Sequence, residues 1–124
     1  MKSISNLLLV FAGGGIGATF RYLLSLLYKT PINGFPLSTF GINVIGCFLI
    51  GLIYQASSIE SFHLKIFLMV GVLGGFTTFS TFGLETYNLL ANSKYQTAFF
   101  YVILSNICGL AAVYAGIKIS SLTL

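Results

Sequence analysis

Hydrophobic residues run along this chain in four long stretches, over about residues 4–28, 37–56, 64–90 and 96–119, separated by short polar segments. A helix needs about 20 apolar residues to cross the hydrocarbon core of a bilayer. The second and fourth stretches fit that length directly. The first and third are longer, and each carries an irregularity: Arg21 in the first, and the decapeptide GGFTTFSTFG, residues 74–83, in the third. The connections KTPINGFP, residues 29–36, and ANSK, residues 91–94, contain turn-forming residues. No internal repeat, linker or low-complexity tract breaks the pattern. The opening segment MKSISNLLLVFAGGGIGA has the general shape of a secretory signal. Its apolar run continues past the glycines and three further stretches follow, so a retained first span is expected. The pattern predicts an all-α integral membrane protein with four transmembrane helices in a single domain, residues 1–124.

Composition agrees. Of 124 residues, 56% are hydrophobic and only 6% charged, with a mean hydropathy of +0.97. A soluble domain this small needs a far more charged surface. The net charge of +4 comes from Lys2, Arg21, Lys29, Lys65, Lys94 and Lys118, scattered along the chain. Nothing there resembles a nucleic-acid-binding stripe, and single cations at helix ends snorkel to the interface. Cys47 and Cys108 lie inside apolar stretches, without metal-ligand spacing, and read as packing residues. His63, beside Lys65, reads as a loop residue. The sequence offers no nucleophile with a base, no carboxylate pair, no phosphate loop and no metal cluster, so an enzyme is not expected.

An even number of spans places both termini on one side of the membrane. That side would hold Lys2, Lys65 and Lys118, the other Lys29 and Lys94, with Arg21 able to tip the balance. So small a difference sets no orientation under the positive-inside rule. A chain that inserts both ways round can form an antiparallel dimer about an axis in the membrane plane. Four helices alone leave polar groups facing lipid, which also favours self-association. The glycines point the same way: Gly13 and Gly17 form GxxxG, Gly46 lies in the second span, and Gly109 and Gly116 lie in the fourth.

Candidate chemistry concentrates on the third span. Gly74 and Gly75 each weaken a helix by about 1 kcal/mol relative to Ala. Thr77, Thr78, Ser80 and Thr81 have hydroxyls that bond backbone groups. The segment reads either as a broken helix offering carbonyls and helix ends to an ion, or as a packing face with its hydroxyls bonded back. Phe79 and Phe82, three residues apart, share a helical face. They are core filling, or else rings whose electropositive edges touch a small anion without holding it tightly. Asn43, mid-span in the second helix, makes an interhelical hydrogen bond or offers a donor to a solute path. Tyr101, Ser105 and Gly109 form one stripe on the fourth span, with Asn106 one step round. It is a polar lining or helix glue. Arg21 and Glu85 either pair with each other or act separately. Arg21 would then snorkel or draw anions into a vestibule, while Glu85 leans to a structural role.

The run GGFTTFSTF, the earlier GGGIGATFRY and the central Asn of GINVIG together resemble the small fluoride channels called Fluc or CrcB. The likeness covers essentially the whole chain, and the third-span signature is long and specific. It implies a dual-topology, antiparallel homodimer that passes fluoride passively out of the cell through two pores in the cell membrane. Under that likeness Phe79 and Phe82 are ring-edge fluoride contacts and Asn43 a donor beside them. Ser80 and Thr81 belong to a hydroxyl track, Tyr101 and Ser105 line the pore, and Arg21 stands at the vestibule. Gly74 and Thr77 would lend backbone carbonyls to a structural sodium ion (Na+) at the dimer interface. Where some relatives carry a second serine on the fourth span, this chain has Gly109. The partners implied are fluoride, a second copy and the lipid bilayer, with no nucleic acid. The rival reading is a small proton-coupled multidrug or cation exporter of the four-helix dual-topology type, for which Glu85 would have to exchange the proton. A non-transporting subunit of a larger complex is a further alternative.

Overall fold

The computed structural model describes residues 2–29 and 33–123. Residues 30–32 of the KTPINGFP connection lie outside the described residues. Helices α1 (Lys2–Leu27) and α2 (Leu37–Gln55) are followed by a composite third span. It begins with α3 (Phe62–Lys65), widens into a π-helical stretch over Ile66–Leu73 and continues through α4 (Gly74–Phe76). Thr77 and Thr78 are extended, and α5 (Phe79–Ala91) carries the span onward. Helix α6 (Tyr95–Thr123) completes the chain. Among the described residues, four stretches are long and apolar enough to cross a membrane: Ser3–Leu27, Leu37–Gln55, Phe62–Ala91 and Tyr95–Thr123. The last outruns the expected residues 96–119. Past Ile119, Ser121 and Thr123 turn their hydroxyls back onto the carbonyls of Lys118 and Ile119 at 2.7 and 2.8 Å, and no Gly or Pro stops the helix.

Local chemistry explains the ends. Ser61 caps α3 by accepting from the Leu64 amide. At the end of α5, Ser93 takes a left-handed conformation (φ 58°). The Ser93 amide then donates to Leu90 and the Lys94 amide to Leu89, at 3.0 and 2.8 Å. This is the Schellman arrangement, which satisfies the last carbonyls of a helix. Asn33 and Gly34 (φ 53° and 83°) turn the chain into α2.

The π stretch and α4 pack on α1, whereas α5 packs on α6; the longest contact joins α2 to α6. The third span thus changes partner across Thr77 and Thr78. The buried apolar residues divide accordingly. Ile42, Leu73 and Phe76 form one cluster, with Leu24, Leu49, Ile50 and Ile53 against it. Leu89, Ala98 and Tyr101 form the other, with Phe35, Phe40 and Phe82. Large apolar side chains elsewhere face outward, Phe11 and Leu110 among them, as expected where lipid is the solvent.

The glycines serve a different purpose from the one expected. A Cβ on Gly13 would lie 2.7 Å from the Phe67 carbonyl oxygen, and one on Gly17 would strike the Val72 carbonyl. Gly46 faces Thr77, Gly116 faces Phe48, and Gly109 lies against Cys47. These five positions are occupied within one chain, so the GxxxG pair locks α1 to the third span and does not mark a surface for a second copy. Gly14 and Gly15, by contrast, have open space where a Cβ would stand. Gly17→Val is expected to destabilise the protein by about 1–3 kcal/mol through overpacking. Gly15→Ala should be neutral or stabilising by about 0.5–1 kcal/mol, because it removes a helical glycine without a clash. Unfolding midpoints of the two variants in detergent would check both.

Candidate functional site

The third span leaves its helix in steps, each with an identifiable partner. The Thr77 amide and hydroxyl both donate to the Leu73 carbonyl, each at 3.0 Å, which ends the first half. Thr77 then turns extended (φ −81°, ψ 157°), as does Thr78 (φ −149°, ψ 111°). Extended residues lose the helical ladder, and an unpaired backbone group away from water costs several kcal/mol. Asn43 supplies what is missing. Its Oδ1 accepts from the Thr78 amide at 2.8 Å and its Nδ2 donates to the Thr78 carbonyl at 3.1 Å. The two bonds together fix which way the amide faces. The Thr78 hydroxyl starts α5 by accepting from the Thr81 amide at 3.2 Å and donating to the Thr81 hydroxyl at 2.9 Å. Arg21 Nε donates to the Gly75 carbonyl at 3.1 Å, so this side chain reaches the same turn from α1. Gly75 itself is required by packing: a Cβ there would collide with the Gly14 carbonyl.

A cavity of about 340 Å³ opens beside the turn, lined by Asn43, Phe79, Phe82, Ser105, Asn106, Gly74 and Thr77 among others. The Phe79 and Phe82 rings stand 5.5 Å apart at 39°, and Phe79 is 84% exposed. Ser105 Oγ is buried without a hydrogen-bond partner. Asn106 gives one of its two Nδ2 protons to the Val102 carbonyl at 2.8 Å, leaving the other proton and its amide oxygen. The wall is otherwise apolar, from Cys47, Ile50, Met69 and Leu73.

Other candidates stand apart from this cavity. Tyr101 is completely buried; its hydroxyl donates to Glu85 Oε2 at 2.7 Å and its ring lies 5.1 Å from that of Phe82. Thr39 donates to the other Glu85 oxygen at 2.8 Å. Arg21 and Thr81 line a second cavity of about 290 Å³, with Thr39 and Thr78. Ser80 is exposed, its hydroxyl 3.3 Å from that of Thr78. The alternative that Arg21 and Glu85 pair with each other does not hold among the described residues: Glu85 is held by Thr39 and Tyr101, and Arg21 by a carbonyl. Thr39 was not singled out by sequence reasoning, and Thr78 was not recognised as a helix cap. A Thr directly before the first residue of α5 was the available signal for the second.

Among the described residues no group of three His, Cys, Asp or Glu could hold a metal. Thr77 lies outside the helical conformation, and a carbonyl oxygen freed from the helical ladder is the type of donor a hard cation takes.

Helices of this length and hydropathy, with polar groups gathered at a turn inside one span, define a small helical membrane protein with four candidate spans among the described residues. Residues 8–117 match the family described as CrcB-like protein, Camphor Resistance (CrcB), and the chain belongs to that family. It is 41% identical over 120 residues to the Fluoride-specific ion channel FluC of Phocaeicola vulgatus, covering 94% of this chain and 99% of that protein. The protein of the same name from Hydrogenobaculum sp. is 43% identical over 114 residues, covering 90% of this chain and 93% of its own length. The one from Helicobacter pylori strain J99 is 42% identical over 118 residues, covering 90% and 91%.

Asn43→Ala would leave both Thr78 backbone groups unpaired, at about 1–3 kcal/mol for each buried group. The expected outcome is a lower unfolding midpoint and faster hydrogen exchange of the Thr78 amide than in the parent. Ser105→Ala, which removes a hydroxyl without a partner, should leave both unchanged.

Proposed function

We propose that this chain is a fluoride channel, a multi-pass protein of the plasma membrane and not an enzyme, which lets cytoplasmic fluoride leave down its electrochemical gradient. One observation carries the reading: Phe79, Phe82, Asn43 and the unpartnered Ser105 hydroxyl meet around one cavity. Fluoride is small and strongly hydrated, so a path must replace its water with several weak donors. Ser105 offers a free hydroxyl. Asn43 has two amide protons and spends one on Thr78, leaving the other. The two rings offer positive edges. None of these holds an anion as strongly as a fixed ammonium would, which favours release.

The working unit in this proposal is an antiparallel homodimer with two pores, formed by a chain that inserts in both orientations. Exposed Phe79 suits contact with a second copy. The extended pair Thr77–Thr78 then acts as a functional break in the third span. Ser80 and Thr81 continue the hydroxyl track. Tyr101, its hydroxyl given to Glu85, contributes its ring and positions Phe82. Arg21 supplies positive charge at the vestibule while steadying the Gly75 carbonyl. Carbonyls of Gly74 and Thr77 from both copies would hold the structural sodium ion, whose charge would tie the two turns together.

Purified protein in liposomes tests the reading. Fluoride efflux that requires a potassium ionophore is the expected result; no efflux, or equal efflux of chloride, would refute a fluoride-selective channel. Phe82→Ile should lower fluoride flux at least tenfold, about 1.4 kcal/mol in rate, while the dimer persists on gel filtration. Unchanged flux would remove the rings from the path. Glu85→Gln separates the rival: a proton-coupled exporter would lose all transport, whereas a channel keeps measurable fluoride flux.

A further inference from the structure

Two openings adjoin at the end of the first span, and neither shares a lining residue with the central cavity. One, of about 260 Å³, is lined by Lys29 and Lys94. The other, of about 270 Å³, is a groove between α1 and α2 walled by Leu24, Phe40, Gly41, Ile42 and Ile45. Tyr28, Leu37 and Ser38 line both, so the charged opening and the apolar groove share a wall. Their depths differ. Lys29 lies two residues past the end of α1, Lys94 stands in the turn between α5 and α6, and Leu37 opens α2, which puts the charged opening where the spans end. From Ser38 to Ile45 the groove follows α2 toward mid-span, over about 10 Å at the helical rise.

The polar end is short of negative charge. Glu85 also lines it, but buried Thr39 and Tyr101 already hold both carboxylate oxygens. Two ammoniums against one carboxylate leave one positive charge. Gly34, in its left-handed conformation, lets the Lys94 ammonium settle close; a Cβ there would stand 3.1 Å from Nζ. The buried Ser38 Oγ has no hydrogen-bond partner, and Pro36 gives α2 no side-chain cap. We infer that opening and groove together bind an anionic glycerophospholipid, its singly charged headgroup between Lys29 and Lys94 and an acyl chain along Leu24, Ile42 and Ile45. Basic openings between transmembrane helices take anionic headgroups in this way. A free phosphate would satisfy the ammoniums and leave the groove empty. A zwitterionic lipid would fill the groove but bring a third cation to the two already there. A second copy has only Glu60 and Glu85 as acidic side chains, too few to cover both lysines. The site does not depend on what the chain conducts, so its test needs no flux measurement.

Native mass spectrometry of the full-length protein in neutral detergent, titrated with lipid, provides the test. Dioleoylphosphatidylglycerol should bind about tenfold more tightly than dioleoylphosphatidylcholine, as two lysines beside one headgroup predict. Lys29→Gln with Lys94→Gln should cut that preference below about twofold. Lys65→Gln with Lys118→Gln, at the opposite ends of their spans, should leave it intact. Gly41 has open space where a Cβ would stand, so Gly41→Leu fills the groove without a backbone clash. It should weaken phosphatidylglycerol binding about fourfold or more, the worth of one buried methylene, while the mass of the protein assembly stays the same. Equal binding of the two lipids by the parent would overturn the inference. So would a preference that survives the Lys29 and Lys94 changes, or parental phosphatidylglycerol binding by Gly41→Leu. Displacement of the lipid by inorganic phosphate but not by chloride at equal ionic strength would assign the opening to a free anion and overturn it too. A change of assembly mass in Gly41→Leu would give the groove to a second copy, with the same consequence.

Discussion

The architecture depends on one side chain standing in for a strand. A helix that opens inside a membrane exposes amides and carbonyls to a medium without water, and each must find a partner. Asn43 meets both demands of Thr78 with a single amide group, one bond in each direction. Neither Asp nor Leu could do so: the first lacks the donor, the second both functions. The helix cap from Thr78 and the Arg21 contact to Gly75 complete the same turn from its two ends. With those backbone groups satisfied, the third span can pass from α1 to α6.

That transfer gives the molecule its functional shape. The two apolar clusters lie on either side of the turn, so the region between them stays less filled than either. The central cavity sits there, with polar groups few and weak. In the proposed channel, strong charges remain toward the ends while hydroxyl, amide and ring edges occupy the middle. Glu85 is the exception, and Thr39 and Tyr101 hold its carboxylate between them.

Much of this was legible beforehand. Span number and limits follow from hydropathy, since lipid requires long apolar helices and leaves little freedom in where they end. The crowding of Phe79, Phe82, Asn43 and Ser105 into one site was expected through resemblance; residue chemistry alone left each with a packing alternative. The glycines misled, because a small-residue motif states that two backbones approach and not which two. Gly13 and Gly17 found the third span of their own chain. The bonding of Glu85 to Thr39 and Tyr101 escaped for a related reason: the two partners lie on different helices far apart in sequence, and only the packing of α2 and α5 against α6 brings them together. The π-helical stretch over Ile66–Leu73 had no readable signal, being uniformly apolar.

The division of the apolar packing into two clusters has a mechanical corollary. Ile42, Leu73 and Phe76 steady one half of the bundle and Leu89, Ala98 and Tyr101 the other, with the extended pair between them in the third span. Strain applied to one half passes to the other through the unbroken α2 and α6 as well as through the polar bonds around Thr77 and Thr78. A change in bilayer thickness would therefore bear on two kinds of span at once: α2 and α6, whose helical ladder is continuous, and the third span, where the two Asn43 bonds replace it.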